Sequence, residues 1–517
     1  MNEVNIIIEQ IGFSDHQLSI THLVKLFFAE ANITYTVDGV EPIHADLRMR
    51  MTLLKQAQEQ EQAQAGSVRF QLLLGAEYER EWRDQLQLSA DVNADEQRTL
   101  VKRMMFRALL RALEQYTDIS QPWGILTGVR PTKLMHNLLR QGRTLEEVRR
   151  LLSEEYLLKP DKVALLADIV DVQRRVIPDL YHLQNEVSIY IGIPFCPTKC
   201  AYCTFPAYDI VQYEGAVPQF LQALIEEIRE TGRWLRERGL KVTTIYWGGG
   251  TPTSITAEQM EQLIDELERA IPGYHEIREV TVEAGRPDTI TVEKIELLKR
   301  RNVDRMSINP QSFTQATLDT IGRHHTVTET IEKFHLCREH GIDNLNMDII
   351  IGLPDEGVTQ FEHTLTELDR LLPESLTVHT LSFKRASKMT RERDSYEVAE
   401  RDEIGEMMAL AEQWTAANGY RAYYLYRQKN ILGNLENVGY ALPGKDSLYN
   451  ILMMEELQTI IGIGCGAVSK IVFHADGERI ERFANPKEPA QYNASWRESL
   501  QRKIQLLDEA YPAPAHA

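Results

Sequence analysis

No stretch of this sequence stays apolar over the length a bilayer demands. The N-terminus, MNEVNIIIEQ, has no basic region ahead of its apolar run and no cleavage site, so no secretory leader is expected. Cysteine is scarce, with five in 517 residues, and three of these crowd into one loop while Cys337 and Cys465 stand far apart. That distribution excludes a disulfide framework and points to a reducing cytoplasm. Positive charge is also in deficit. Lys and Arg number 57 against 76 Asp and Glu, a formal net charge of −19, which argues against bulk binding to nucleic acid or anionic lipid.

What is present is organised around IGIPFCPTKCAYCTFP, Ile191 to Pro206, which places Cys196, Cys200 and Cys203 in a C-x3-C-x2-C spacing. Three thiolates this close wrap one side of a compact metal centre. They are one short of the four that close a tetrahedral zinc site or fill a four-iron cluster. Two readings stay open on the loop alone. One is a zinc knuckle completed by His324 or Cys465; the other is a cluster with one open position.

Residues 1–185 read as an α+β region. Asn5–Glu9, Asp46–Leu54 and Val68–Leu74 have strand character, and Asp15–Ala31 and Asp95–Tyr116 have helical periodicity. A Gln/Ala/Glu-rich patch at Gln56–Gln64 reads as a solvated loop or helix end. WGILTGVRPTKL, Trp123 to Leu134, reads as a turn feeding a helix with Pro131 in its first turn. Arg130 and Lys133 there suit an anion, or simply an interdomain brace. Helices over Thr144–Tyr156 and Lys159–Val176 finish the region.

From Val187 the pattern changes to short apolar runs alternating with amphipathic helices. Strands are expected at Val187–Ile193, Val242–Trp247, Glu279–Glu283, Arg305–Ile308, Asn346–Ile351 and Leu376–Phe383. Helices are expected at Val217–Arg238, Ala257–Ala270, Val292–Arg301, Val327–His340 and Thr359–Leu371. Six βα units with right-handed crossovers give an α/β fold, a partial (β/α)6 barrel whose chemistry sits at the C-terminal strand ends. Those ends carry the cysteine loop, WGGGTPT, Glu283, Asn309-Pro310-Gln311, and Asp348 before Gly352-Leu353-Pro354. A polar organic ligand fits such a rim. Residues 386–517 form a mixed extension. It comprises a helix at Ala399–Asn418, an aromatic strand at Tyr420–Gln428, a Gly-rich turn and apolar run at Ile461–Ile471, and a mostly helical tail ending in YPAPAHA.

Taken together, YIGIPFCPTKCAYCTFP with Tyr202 before the third cysteine, WGGGTPT, Asn-Pro-Gln-Ser-Phe and MDIIIGLP resemble the radical S-adenosylmethionine (SAM) family of oxygen-independent coproporphyrinogen III oxidases, in its HemZ-type branch. The resemblance implies a radical SAM barrel over residues 186–385. It implies a [4Fe–4S] cluster on Cys196, Cys200 and Cys203, whose open iron is chelated by SAM, with a 5′-deoxyadenosyl radical as the product of one-electron cleavage. It assigns SAM contacts to Tyr190, Gly249, Gly250, Thr251 and Glu283. Gln311, Arg323 and Asp348 would contact a second SAM, Tyr202 would lie beside the cluster, and His379 and Val468 fall at two further contact positions. The implied reaction is oxidative decarboxylation of two propionates of coproporphyrinogen III, fed by an unidentified electron donor. Lys384, Arg385, Arg427 and Lys429 are cations available for the substrate carboxylates. Cys337 and Cys465 read as structural. The oxidase motif continues with a further cysteine, whereas Thr204 and Phe205 follow Cys203 here, as in the related heme-chaperone branch. A heme-delivering chaperone and a radical enzyme acting on another tetrapyrrole are therefore the alternatives.

Overall fold

Alternation, rather than uniform apolarity, marks the strands of the main sheet. Val187, Ile189, Ile191, Ile245, Trp247, Val280, Val282, Met306, Leu345, Met347, Leu376 and Val378 are all buried apolar residues at every second position. Between them stand Ser188, Thr244, Glu279, Thr281, Arg305, Ser307, Asn346, Ser375 and Thr377, buried and polar. A parallel sheet covered on both faces by helices would read as continuous Val, Ile and Leu. Here the apolar set faces the helices, and the polar set turns inward on the concave side.

A computed structural model describes residues 4–36, 45–56, 67–89, 91–128, 130–384, 386–428 and 431–513. The chain forms two compact units, Met1–Ala167 and Asp168–Ala517. Most of the Gln56–Gln64 patch and the last residues of the tail lie outside the described residues. Among the described residues, no helix is long and apolar enough to cross a membrane.

In the first unit a five-stranded sheet runs Asn32–Thr36, Asn5–Ile11, Leu47–Gln56, Ser67–Gly75, Arg80–Gln87. Ile6, Ile8, Met49, Leu72 and Leu74 pack with Met105, Leu109 and Leu113 of the helix Ala94–Thr117 in one core. Asn93 caps that helix, its side chain accepting from Asp95 N at 3.1 Å and Glu96 N at 3.0 Å. Asn32–Thr36 and Arg80–Gln87, unforeseen from the sequence, are the two edge strands, half-solvated and too polar to stand out. The helix expected over Asp15–Ala31 is shorter, Gln17–Lys25, because the chain must turn before Asn32 enters the sheet. Pro131 opens the helix Pro131–Arg140.

In the second unit the six expected strands appear in chain order, Glu186–Ile193, Lys241–Gly249, Glu279–Glu283, Arg305–Ser307, Leu345–Ile351 and Ser375–Thr380, each parallel to its neighbour. Thr256, Thr291 and Thr326 cap the returning helices Ala257–Ala270, Val292–Arg300 and Val327–Glu339. The extension adds strands at both edges. Asn437–Ala441 pairs antiparallel with the sixth strand, and Arg421–Tyr426 pairs antiparallel with Asn437–Ala441. On the other side Thr459–Gly464 lies parallel to the first strand, followed by Val468–Phe473 and Arg479–Ala484. Ile461–Gly464 is thus strand where a Gly-rich turn was expected, and the turn falls at Cys465–Ala467. Glycine at alternate positions hid the strand's apolar period. Described residues show an open sheet of eleven strands.

Candidate active site

The three-cysteine loop leaves the first strand and is tied down by backbone on several sides. Ala201 N donates to Ile321 O at 2.9 Å, Met389 N to Ala201 O at 3.0 Å, and Ile210 N to Cys196 O at 3.0 Å. Arg286, held by both oxygens of Asp288, donates to Thr198 Oγ1 at 2.7 Å. Arg323 donates to the carbonyls of Gly285 at 2.6 Å and Asn309 at 2.7 Å. Its other amino group lies 3.4 Å from Tyr202 Oη and 3.9 Å from Cys200 Sγ. One buried guanidinium therefore fixes the loop to the ends of the third and fourth strands.

WGGGTPT closes on the same loop. Gly250 N donates to Ile193 O and Thr251 N to Phe195 O, both at 2.7 Å. A Cβ on Gly250 would stand 2.5 Å from Phe195 O, so only glycine lets the second strand end press so closely on the cysteine loop. With those N–H groups engaged, this turn offers a ligand its carbonyl oxygens, which suit a donor such as an ammonium. Thr251 Oγ1 also sits 3.3 Å from Cys196 Sγ.

Burial pushes the Cys196 thiol up to about 12, the Thr251 bond drawing it back only in part. Burial and the charge of Cys200 raise Cys203, against Lys199 and Lys384. Such thiols ionise when a metal takes the proton's place. Among the described residues no three His, Cys, Asp or Glu side chains close on a single ion; cysteines that hold separate corners of a cluster have no need to. His324 is exposed, and the Cys465 thiol donates to Lys487 O at 3.2 Å, pushed up to about 12 by burial, Glu227 and Glu488. Neither supplies a fourth zinc ligand. Cys337 is wholly buried in its helix.

Inside the sheet, six strands each turn one partly exposed side chain toward the concave face, Tyr190, Tyr246, Glu283, Asp348, His379 and Tyr426, while Arg305–Ser307 is buried throughout. Tyr246 Oη donates to Glu283. Burial pushes the Glu283 carboxyl up to about 7, the tyrosine bond draws it down, and the Asp348 charge adds to the rise. Asp348 behaves oppositely. Burial raises it, but His379, 3.6 Å away, together with Asn346 and Thr377, brings it below the ordinary carboxylate range. His379 Nδ1 meets Tyr426 Oη at 3.2 Å. Gln311 adopts a left-handed φ of 66°, its backbone bridging Asp348 O and Ile350 N at 2.9 and 3.0 Å. Strain of that kind in a non-glycine residue collects at functional sites.

The chamber is shaped for something more than water. A Cβ on Gly248 would meet the Tyr190 ring at 3.0 Å and Glu283 Oε2 at 3.1 Å, so the glycine keeps a space open between them. Ser307 Oγ, Asn309 Oδ1 and Arg323 Nε are buried without a hydrogen-bond partner. Open donor and acceptor positions beside two buried thiols and a half-buried third fit a polar cofactor seated on a cluster.

Sequence reading missed Tyr246 and Tyr449. Tyr246 lies one residue before the glycine motif, in a run that reads as apolar, and Tyr449 lies in the extension. Their rings stack at 4.3 Å. Val468 is brought to the first strand's side, since Gly462, opposite Tyr190, packs on its backbone; its own side chain is 39% exposed. Lys384 sits within electrostatic reach of Cys203. Arg427 does not face the chamber as a spare cation. It is buried, holds Asn434 Oδ1 at 2.5 Å, and feels the charge of Glu436. Arg385 and Lys429 lie outside the described residues.

Residues 190–368 match the Radical SAM superfamily. The chain is 56% identical over 423 residues to the oxygen-independent coproporphyrinogen-III oxidase-like protein HemZ of Bacillus subtilis, covering 82% of this chain and 84% of that protein. It is 30% identical over 282 residues to the heme chaperone HemW of the same organism, covering 54% and 70%. Among solved structures, the Escherichia coli radical SAM enzyme HemN, a coproporphyrinogen III oxidase, shares the fold. It matches with a TM-score of 0.50 and 21% identity, over 63% of this chain and 73% of that one.

Proposed function

Because the chain belongs to the radical SAM family of HemZ-type, coproporphyrinogen-III oxidase-like proteins, we propose that it decarboxylates two propionates of coproporphyrinogen III without oxygen, giving protoporphyrinogen IX. The family's cofactors are a [4Fe–4S] cluster and SAM, which when bound supply a carbon radical able to abstract hydrogen. Cys196, Cys200 and Cys203 hold the cluster and leave one position for SAM. Tyr202 and Arg323 shield the loop from water. The carbonyls at Gly249, Gly250 and Thr251 take the ammonium of SAM; Glu283, with Tyr190 beside it, takes a further ammonium or hydroxyl hydrogen. Gln311, Asp348, His379 and Val468 complete the chamber wall, where a second SAM or the substrate is held. The substrate gives up a hydrogen atom from a propionate β-carbon to that carbon radical, then CO2 and, to a separate one-electron acceptor, one electron, leaving a vinyl group. A separate one-electron carrier feeds the cluster. Residues 186–385 form the catalytic barrel and 386–517 its substrate-side extension, with the first 185 residues given no role. A reducing cytoplasm as its compartment is in keeping with its free cysteines.

The observation that carries this reading is the polar inner face of an otherwise apolar sheet, opening beside three thiols, Cys196 and Cys200 buried and Cys203 half-buried. A second reading, heme delivery without turnover, draws on Phe205. Its ring is 59% exposed two residues after Cys203, a flat apolar surface suited to a macrocycle. Anaerobic incubation of the reconstituted protein with SAM, a reductant and coproporphyrinogen III separates the two. Protoporphyrinogen and CO2 are expected. Tight heme binding and transfer without CO2 release would establish the second reading instead, and a methylated or opened macrocycle would displace both.

A further inference from the structure

The helix Leu448–Glu455 belongs to the extension, yet the third barrel strand holds its first turn. The Glu279 carboxylate accepts from Leu448 N at 2.7 Å, Tyr449 N at 3.1 Å and Ser447 Oγ at 2.9 Å. Ser447 Oγ in turn accepts from Asn450 N at 3.3 Å. Anchored in this way, Tyr449 lies flat on Tyr246, ring centroids 4.3 Å apart and planes 20° apart. Tyr190 stacks against both, at 6.3 Å and 6.2 Å. Tyr246 Oη donates a hydrogen bond to Glu283 Oε1. Direct contacts thus run from Glu279 through Tyr449 and Tyr246 back to Glu283, four residues along the same strand.

We propose that Tyr449 is a positioning residue for the SAM site: by stacking on Tyr246 it fixes the hydroxyl that orients the Glu283 carboxylate, so the extension completes the cofactor site. The inference rests on the reading that Glu283 grips SAM. A phenol ring with one face bare is free to swing, and its hydroxyl then no longer defines where the carboxylate oxygens stand. Each binding event would have to order both groups anew, which lowers affinity without removing any contact to the ligand. A second ring blocks that motion as an aliphatic side chain of similar volume does not, because stacking fixes the ring plane.

The test uses full-length reconstituted protein and the SAM dissociation constant, measured by equilibrium dialysis across pH, with the thermal midpoint recorded alongside. Tyr449→Leu is expected to weaken SAM binding roughly fivefold to tenfold, a loss of the size expected for one hydrogen bond's geometry. Tyr449→Phe keeps the stack and should restore wild-type affinity. Tyr246→Phe removes the hydroxyl, should weaken binding comparably, and should move the pH midpoint of binding upward. The groups facing Glu283 are Tyr190, Tyr246, Tyr449 and Asp348, and only the altered one changes. In turnover, KM for SAM should rise more than kcat falls. A folded Tyr449→Leu protein with unchanged affinity and pH midpoint overturns the inference while leaving Glu283 in place. Should that variant not fold, unchanged affinity in Tyr246→Phe overturns it equally. A wild-type protein that binds no SAM removes the reading beneath and this inference with it.

Discussion

Two groups of buried polar side chains flank the strand Glu186–Ile193 and its neighbour Thr459–Gly464, and they are finished to different degrees. On the helix side, Glu227 accepts from Gly464 N at 2.8 Å, Tyr492 Oη at 2.6 Å, Asn485 Nδ2 at 2.9 Å and Lys503 Nζ at 2.7 Å. Lys503 also reaches Gly462 O at 2.6 Å. Both ions are almost wholly buried, at 0% and 1% exposure; the two Glu227 oxygens take four donors and Lys503 two acceptors from the chain itself, and Asn485 Oδ1 is the one buried side-chain atom of these four residues left over. On the concave side, Ser307, Asn309 and Arg323 keep buried atoms without partners, and Glu283 has one phenol for company in a site that penalises its charge. A network that exists to hold the fold meets its charges from within the chain. A site leaves positions for what it binds.

The sharpest break in that comparison is at the cysteines. Cys200→Ala should abolish cluster loading entirely, read as iron content and visible absorbance after anaerobic reconstitution, while circular dichroism stays that of the wild type. A variant that keeps its iron would remove Cys200 from the ligand set.

Next in size is the helix-side pair. Lys503→Met leaves Glu227 buried without its counter-ion, a change that costs about 3–5 kcal/mol. Denaturant titration should show it, and Glu227→Gln combined with Lys503→Met should cost less than Lys503→Met alone. SAM affinity of the folded fraction should stay within about twofold. If affinity falls in step with stability, the network belongs to the site after all and the contrast drawn above is wrong.

Glu283→Ala should do the reverse. Removing a carboxyl whose ionised form is disfavoured by burial leaves stability level or slightly improved, whereas SAM binding should weaken by roughly tenfold to a hundredfold, about 1.4–3 kcal/mol. Equilibrium dialysis paired with the same denaturant titration decides it; unchanged affinity would end the role given to Glu283.

This division also explains what the sequence made legible. The cysteine spacing, the strand-end residues Glu283 and Asn309, and Asp348 within the fifth strand are local patterns, and the six barrel strands with their returning helices follow from short-range periodicity. Three things were not local. Ser188, Thr244 and Thr377 are small enough to pass inside apolar runs, so the polar inner face emerged only once the strands stood side by side. Thr459–Gly464 takes its place from a partner strand some 270 residues earlier, Ile461 opposite Ile189, and its glycines mimic a turn. Tyr449 enters the chamber only because Glu279, 170 residues away, captures its helix. Arg427 failed as a substrate cation for a similar reason: charge is visible in a sequence, but its partner Asn434 and its burial are not.

The smallest expected effect tests the contrast most finely, because one carboxyl should act in opposite directions on the empty and the loaded protein. Burial raises Glu283 from the ordinary 4.5 to about 7. Between those values the folded chain holds a proton that the unfolded chain has released, so the empty protein is most stable below the unfolded value and loses that contribution as pH rises toward 7. SAM presents an ammonium, a sulfonium and hydroxyls, all better met by the ionised form, so its affinity should climb as pH rises through the same window. From pH 6 to pH 8 the ionised fraction goes from about a tenth to about nine-tenths, which corresponds to a roughly tenfold gain in affinity. Glu283→Gln should flatten that rise, leaving only the slope contributed by SAM itself, since Asp348 is held ionised throughout, and should flatten the stability profile over the same range. Parallel rather than opposed profiles would mean that the carboxyl is a structural group like Glu227, and that the open positions on the concave face serve some other ligand.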